Sequence, residues 1–177
     1  YQITEFIDLN EWSINPSFDG KYVYFTAGFN GWRVEVETGK EEKIIEFQAD
    51  GMKEKGMVAA AMGTTCLSNS GKWWGVTYKV AEKSRFMIID TENGEGKSIL
   101  EANSISHMQF CPDDEEQIFY AGPLTDRVWT IRLDGSGNQR VYEKKPEEWI
   151  THESWLPKTN EIAFVDWPNG MRAINIH

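Results

Sequence analysis

The chain has 177 residues, a formal net charge of -10, and eight Trp, nine Phe and six Tyr. An acidic balance of that size argues against nucleic acid or an anionic membrane surface as partner, because both need a basic footprint. Cys66 and Cys111 are too few for a disulfide framework and read as half-buried thiols, and no stretch approaches the length of a membrane span.

Taken in order, the chain repeats. A lone strand at about Thr4 to Ile7 is followed by I-N-P-S-F-D-G-K-Y-V-Y-F from Ile14, R-V-E-V-E-T-G from Arg33 and a last strand over Glu42 to Phe47. Gly51 to Met62 reads as a long loop with at most a short helical turn. The second unit runs from C-L-S-N-S-G-K-W-W-G-V-T-Y at Cys66 through R-F-M-I-I-D-T-E-N-G at Arg85 to Lys97–Glu101. The third runs from F-C-P-D-D-E-E-Q-I-F-Y at Phe110 through R-V-W-T-I-R-L-D-G at Arg127 to Gln139–Glu143. W-L-P-K-T-N-E-I-A-F-V from Trp155 and R-A-I-N-I-H from Arg172 make the fourth.

Each unit is a short strand, a polar turn, an apolar strand, an arginine-led alternating strand and a Gly turn, and three units add a final strand. The turns recur about every 44 to 52 residues, near the period of propeller blades. The expected fold is therefore all-β, a β-propeller of four-stranded antiparallel blades with about four blades present. The blades fall at residues 9–50, 58–103, 104–149 and 150–177, with 1–8 supplying the outer strand of another blade. Because the chain starts at Tyr1 and stops at His177 inside an apparent strand, it is expected to be part of a larger ring, whose remaining blades are its partners.

In a propeller the first strand of each blade lines the channel, and the loops that enter it open on the face that usually holds the site. S-H-M-Q-F-C-P from Ser106 and T-H-E-S-W-L-P from Thr151 put His107 and His152 in one register, 45 positions apart. Glu11 and Gly63 hold the same place in the first two blades. The spacing predicts a cluster of His107, His152, Glu11, Gln109, Glu153, Arg85 and Arg127 around one channel mouth. Against it stands a structural reading, in which such a histidine bonds within its own blade and a recurrent arginine makes an ion pair. For Arg33 and Arg172 the structural reading is preferred. No nucleophile elbow, phosphate-binding loop, Cys-x-x-Cys pair or His-Glu-x-x-His is present, and D-D-E-E at Asp113 lies in a turn without a calcium-loop pattern.

The run S-H-M-Q-F-C-P, then D-R-V-W-T-I-R-L-D-G-S-G-N-Q, then T-H-E-S-W resembles bacterial oligogalacturonate lyases over Ser106 to Trp155. The resemblance implies a seven-bladed propeller that cleaves short α-1,4-linked galacturonate oligomers by β-elimination, with a divalent metal, usually Mn2+. It implies His107 as the Brønsted base and His152 as one metal ligand, with the other ligands, two His and a Gln, beyond His177. Arg85 is the best-placed match for a substrate-engaging arginine, and Arg127 and Gln109 join it as expected substrate contacts. Ser106, Met108 and Thr151 depart from the usual Gly, Pro and Gly beside these residues. The implied partner is an acidic oligosaccharide, and the expected compartment is the cytoplasm or the periplasm. Two other readings stay open: a non-enzymatic propeller binding module, and the propeller domain of a serine peptidase.

Overall fold

The structure is a computed structural model that describes residues 2–6, 8–47, 62–80 and 82–176. Residues 51–61 of the expected long loop, and Ile7 at the end of the expected lone strand, lie outside the described residues. Among the described residues no helix is long and apolar enough to cross a membrane.

Apolar middle strands such as Tyr22–Ala27, Gln117–Ala121 and Glu161–Trp167, flanked by more polar outer strands, build four antiparallel sheets. The first sheet is β1 (Asn15–Pro16), β2 (Tyr22–Ala27), β3 (Asn30–Glu35) and β4 (Glu41–Glu46). The second is β5 (Met62–Leu67), β6 (Trp73–Val80), β7 (Lys83–Asp90) and β8 (Gly96–Ala102). The third is β9 (Ser106–Phe110), β10 (Gln117–Ala121), β11 (Val128–Arg132) and β12 (Gln139–Arg140). The fourth has three strands, β13 (Trp149–Leu156), β14 (Glu161–Trp167) and β15 (Gly170–Asn175). Every sheet pairs its strands in chain order, which is the meander of a propeller blade.

Local chemistry explains the hairpins. The polar turns after β1 and β5 close identically, with Ser17 N–H donating to Tyr22 O at 2.8 Å and Ser68 N–H donating to Trp73 O at 2.8 Å. Each such turn places a glycine, Gly20 or Gly71, at a φ of 72° or 76°, a region open to glycine without steric cost. The innermost strand of the first blade is shorter than expected. A 3-10 turn over Glu11–Ser13, capped by Asn10 Oδ1 accepting from Trp12 N–H, interrupts it. The last strand of the third blade is also shorter, because Tyr142 leaves the sheet to donate its hydroxyl to Glu148 at 2.9 Å.

The core lies between the blades rather than inside them. Tyr24, Phe29 and Phe47 of the first blade meet Trp74, Val76, Tyr78 and Ile89 of the second. Cys66, Phe86 and Ile88 then meet Met108, Phe110, Ile118, Tyr120 and Ile131 of the third. Phe119, Ala121 and Val128 in turn meet Ile150, Trp155, Ile162 and Phe164 of the fourth. Each blade is thus apolar on both faces, and neighbouring faces remove each other from water. Gly31 shows how tight a seam is: a Cβ there would sit 2.6 Å from a ring carbon of the fully buried Trp74. Both cysteines are free and buried, deeper than the half-burial expected.

Candidate functional site

The two histidines are set by the same local irregularity in adjacent blades. The β9–β10 register shifts between Phe119 and Ala121, and the β13–β14 register shifts between Thr151 and Ser154. His107 and His152 sit at these bulges with φ of 49° and 55°, a left-handed conformation uncommon for a residue with a Cβ. Such backbone costs on the order of 1–3 kcal/mol and clusters at functional sites. Both residues are exposed, and the His107 side chain keeps 44% of its surface. No hydrogen bond joins either imidazole to another described residue, and the one ionic neighbour of His107 among them is Glu153.

Beside them lies a buried ion pair. Arg127, which immediately precedes β11, donates from Nε to Glu153 Oε1 at 2.6 Å and from Nη2 to Oε2 at 3.3 Å. Its Nη1 donates to Gly122 O at 3.4 Å. Arg127 is 7% exposed and Glu153 is 3% exposed. Glu153 Oε2 stands 3.9 Å from His107 Nδ1, outside hydrogen-bond reach. The His107 imidazole has its pKa held below the ordinary 6.5 by partial burial first, then by the Arg127 guanidinium, with Glu153 pulling the other way and His152 adding a small further decrease. The balance keeps the ring neutral near pH 7, able to accept a proton.

The other expected site residues divide. Gln109 joins the third and fourth blades: its Oε1 accepts from Trp155 N–H at 3.1 Å and its backbone O accepts from Trp155 Nε1 at 3.1 Å. Arg127 likewise reaches across the seam, to Glu153. Both of these residues, expected to contact substrate, thus also make contacts between blades. Arg85 pairs with Glu101 at 3.1 Å on the strand beside it, with side-chain exposures of 35% and 49%. Glu11 is exposed in the 3-10 turn of the first blade, two blades from His107.

The arginines do not share one blade position either. Arg33 stands opposite Tyr24 and Arg172 opposite Phe164, whereas Arg85 opposite Tyr78 and Arg127 beside Gly122 hold equivalent places in the second and third blades. Arg33 binds Glu42, and Arg172 binds Glu148 and Asp166, the structural ion pairs preferred for these two. The Arg127–Glu153 contact joins two members of the expected cluster, and it takes the ion-pair form that the structural reading gave the recurrent arginines.

Among the described residues no group of three or more His, Cys, Asp or Glu side chains could hold a metal ion. His152 offers one exposed imidazole, and the neighbouring carboxylate of Glu153 is taken by Arg127. The residues present therefore fit a contribution to a metal site, not a whole one.

Comparison with known proteins places this arrangement. A family model described as oligogalacturonate lyase matches residues 14–176. An oligogalacturonide lyase of Pectobacterium atrosepticum is 32% identical over 171 residues, covering 87% of this chain and 44% of that protein. An oligogalacturonate lyase of Dickeya dadantii is 36% identical over 92 residues, 49% of this chain and 24% of that protein. A solved oligogalacturonate lyase in complex with manganese superposes with a TM-score of 0.81 at 21% identity, over 98% of this chain and 52% of that one. The chain thus spans about half or less of the length of each of these relatives.

Proposed function

The chain belongs to the oligogalacturonate lyase family, and from that premise we propose that it carries the base side of a site that cleaves short α-1,4-galacturonate oligomers by β-elimination. The observation that carries this reading is the pair of exposed, unbonded imidazoles held in equal register on adjacent blades. The binding-module reading expects both imidazoles buried and self-satisfied, and here both are exposed.

His107 takes the role of general base. Elimination removes the proton on C5, alpha to the uronate carboxylate, as the C4–O glycosidic bond breaks and a C4–C5 double bond forms. A neutral imidazole near its pKa is suited to that proton, and its lowered pKa keeps it unprotonated at neutral pH. Arg85 is proposed to meet a substrate carboxylate. Its present partner is a surface ion pair worth about 0–1 kcal/mol, easily exchanged for a ligand. Local cations of this kind let a chain of net charge -10 hold an acidic sugar.

A divalent metal would supply Lewis-acid stabilisation of charge building on the C5 carboxylate. We propose that His152 gives it one imidazole and that its remaining donors lie outside the described residues. Mn2+ is the ion in the solved relative, and a mixed imidazole and oxygen set suits it.

The account also proposes further blades. In the third blade Phe119, Ala121 and Val128 are buried against the fourth. Their counterparts by register in the fourth are Ala163, Val165 and Met171, and Met171 is 78% exposed beside Trp149 at 59% and Trp167 at 52%. An apolar face of that kind is what another blade covers.

The test is direct. The complete polypeptide, given digalacturonate and Mn2+, is expected to raise the ultraviolet absorbance of an unsaturated uronate. Tight binding of the sugar with no rise in absorbance would favour a binding module and overturn the lyase reading.

A further inference from the structure

We propose that Arg127 and Glu153 form a positioning clamp that fixes the orientation of His107 relative to His152, and that Arg127 does not bind substrate. The proposal rests on the lyase reading for what the histidines do, but its geometry stands apart from it.

The backbone ladder does not set these two side chains. At both histidines the strand register slips, and φ is 49° and 55°, so regular pairing ends where each ring begins. Some other contact must fix the angle between blades at that height. Glu153 is placed to do so. It follows His152 directly in β13, and its Oε2 lies 3.9 Å from Nδ1 of His107 on the neighbouring blade. One carboxylate is therefore joined through the chain to one histidine and faces the ring of the other.

Arg127 holds that carboxylate in place. Two donors of its planar fork reach the two oxygens of Glu153, and a third donor is anchored on Gly122 O of its own blade. Arg127 is only 7% exposed and three of its five N–H donors are engaged, which leaves it poorly placed to take a uronate carboxylate. A second tie crosses the same seam, from the side chain and backbone of Gln109 to Trp155. The histidines thus stand beside a doubly braced junction of β9 and β13.

Three variants of the complete polypeptide test the clamp. Arg127→Lys keeps the charge and loses the fork, and Glu153→Gln keeps the shape and loses the charge. The double variant Arg127→Met/Glu153→Leu removes both charges together and leaves no buried ion unpaired. The clamp predicts that kcat on digalacturonate falls about tenfold or more in each, with KM within about twofold of wild type. It also predicts that the double variant keeps near wild-type thermal stability while staying slow. A double variant that regains wild-type kcat, or an Arg127→Lys variant that raises KM alone, overturns the proposal.

Crystal structures of wild type and Glu153→Gln read the same claim without catalysis. The His107 ring is expected to turn from its wild-type orientation, and an unmoved ring overturns the clamp. Wild-type turnover in His107→Ala would instead overturn His107 as the base, and no turnover in wild type would overturn the lyase reading; the crystallographic comparison would still decide the clamp.

Discussion

At the scale of single residues, the account turns on a neutral imidazole. His107 is held below 6.5 by burial first and by Arg127 next. As a base it acts in the unprotonated form, so kcat/KM should rise with pH along an acid limb whose apparent pKa lies below 6.5. A limb above that value would contradict the assignment. The same shift has a stability consequence with a definite sign. The folded ring binds its proton less readily than the unfolded chain, so its contribution is present above 6.5 and is lost as pH falls through the lowered value. Cys66 gives a second prediction at this scale. Burial pushes its thiol up to about 12, so a thiol reagent at mild alkaline pH should leave Cys66 unmodified in the native protein and label it once unfolded. The histidine pair was legible in sequence because a repeat exposes residues that share a register. The tie of Gln109 to Trp155 was not, because its partner comes from the next blade and only packing brings the two together.

At the scale of elements, the seams between blades carry the fold. Phe119 is fully buried in the seam between the third and fourth blades, and Trp74 in the seam between the first and second. Truncating either to Ala should cost about 3–5 kcal/mol, measured by urea unfolding. Gly31→Ala should cost about 1–3 kcal/mol by forcing a methyl into the Trp74 ring, although it adds apolar surface to a core. A change of less than half a kcal/mol in all three would mean that the seams are not where stability resides. Strand order was legible from the polar turns, since D-G and S-G sequences mark hairpins with a physical cause. The bulges at His107 and His152 were not, because the modest enrichment of histidine at positive φ is too weak to mark one strand position. The 3-10 turn at Glu11–Ser13 was hidden for a similar reason, as the Asn10 side chain caps it where the repeat pattern calls for a strand.

At the scale of the whole molecule, the face formed by Trp149, Trp167 and Met171 is the open end of a stack in which every described seam is closed by a neighbour. Residues 1–177 alone should therefore bind a dye specific for apolar surface and self-associate, and Trp167→Glu should reduce both. A strictly monomeric, dye-silent chain would argue against further blades. The blade repeat made the architecture legible, but ring size is not written in a repeat, since adjacent blades pack alike in rings of different number. The same 177 residues should show little lyase turnover by themselves, because the proposed role of His152 supplies one metal donor and the described residues complete no metal site. The central claim is that His107 is the base, and one comparison tests it most directly. With the complete polypeptide, digalacturonate and Mn2+, product absorbance should grow for wild type and slow by roughly a hundredfold or more in His107→Ala, with KM little changed. Growth at the wild-type rate in His107→Ala would contradict the account.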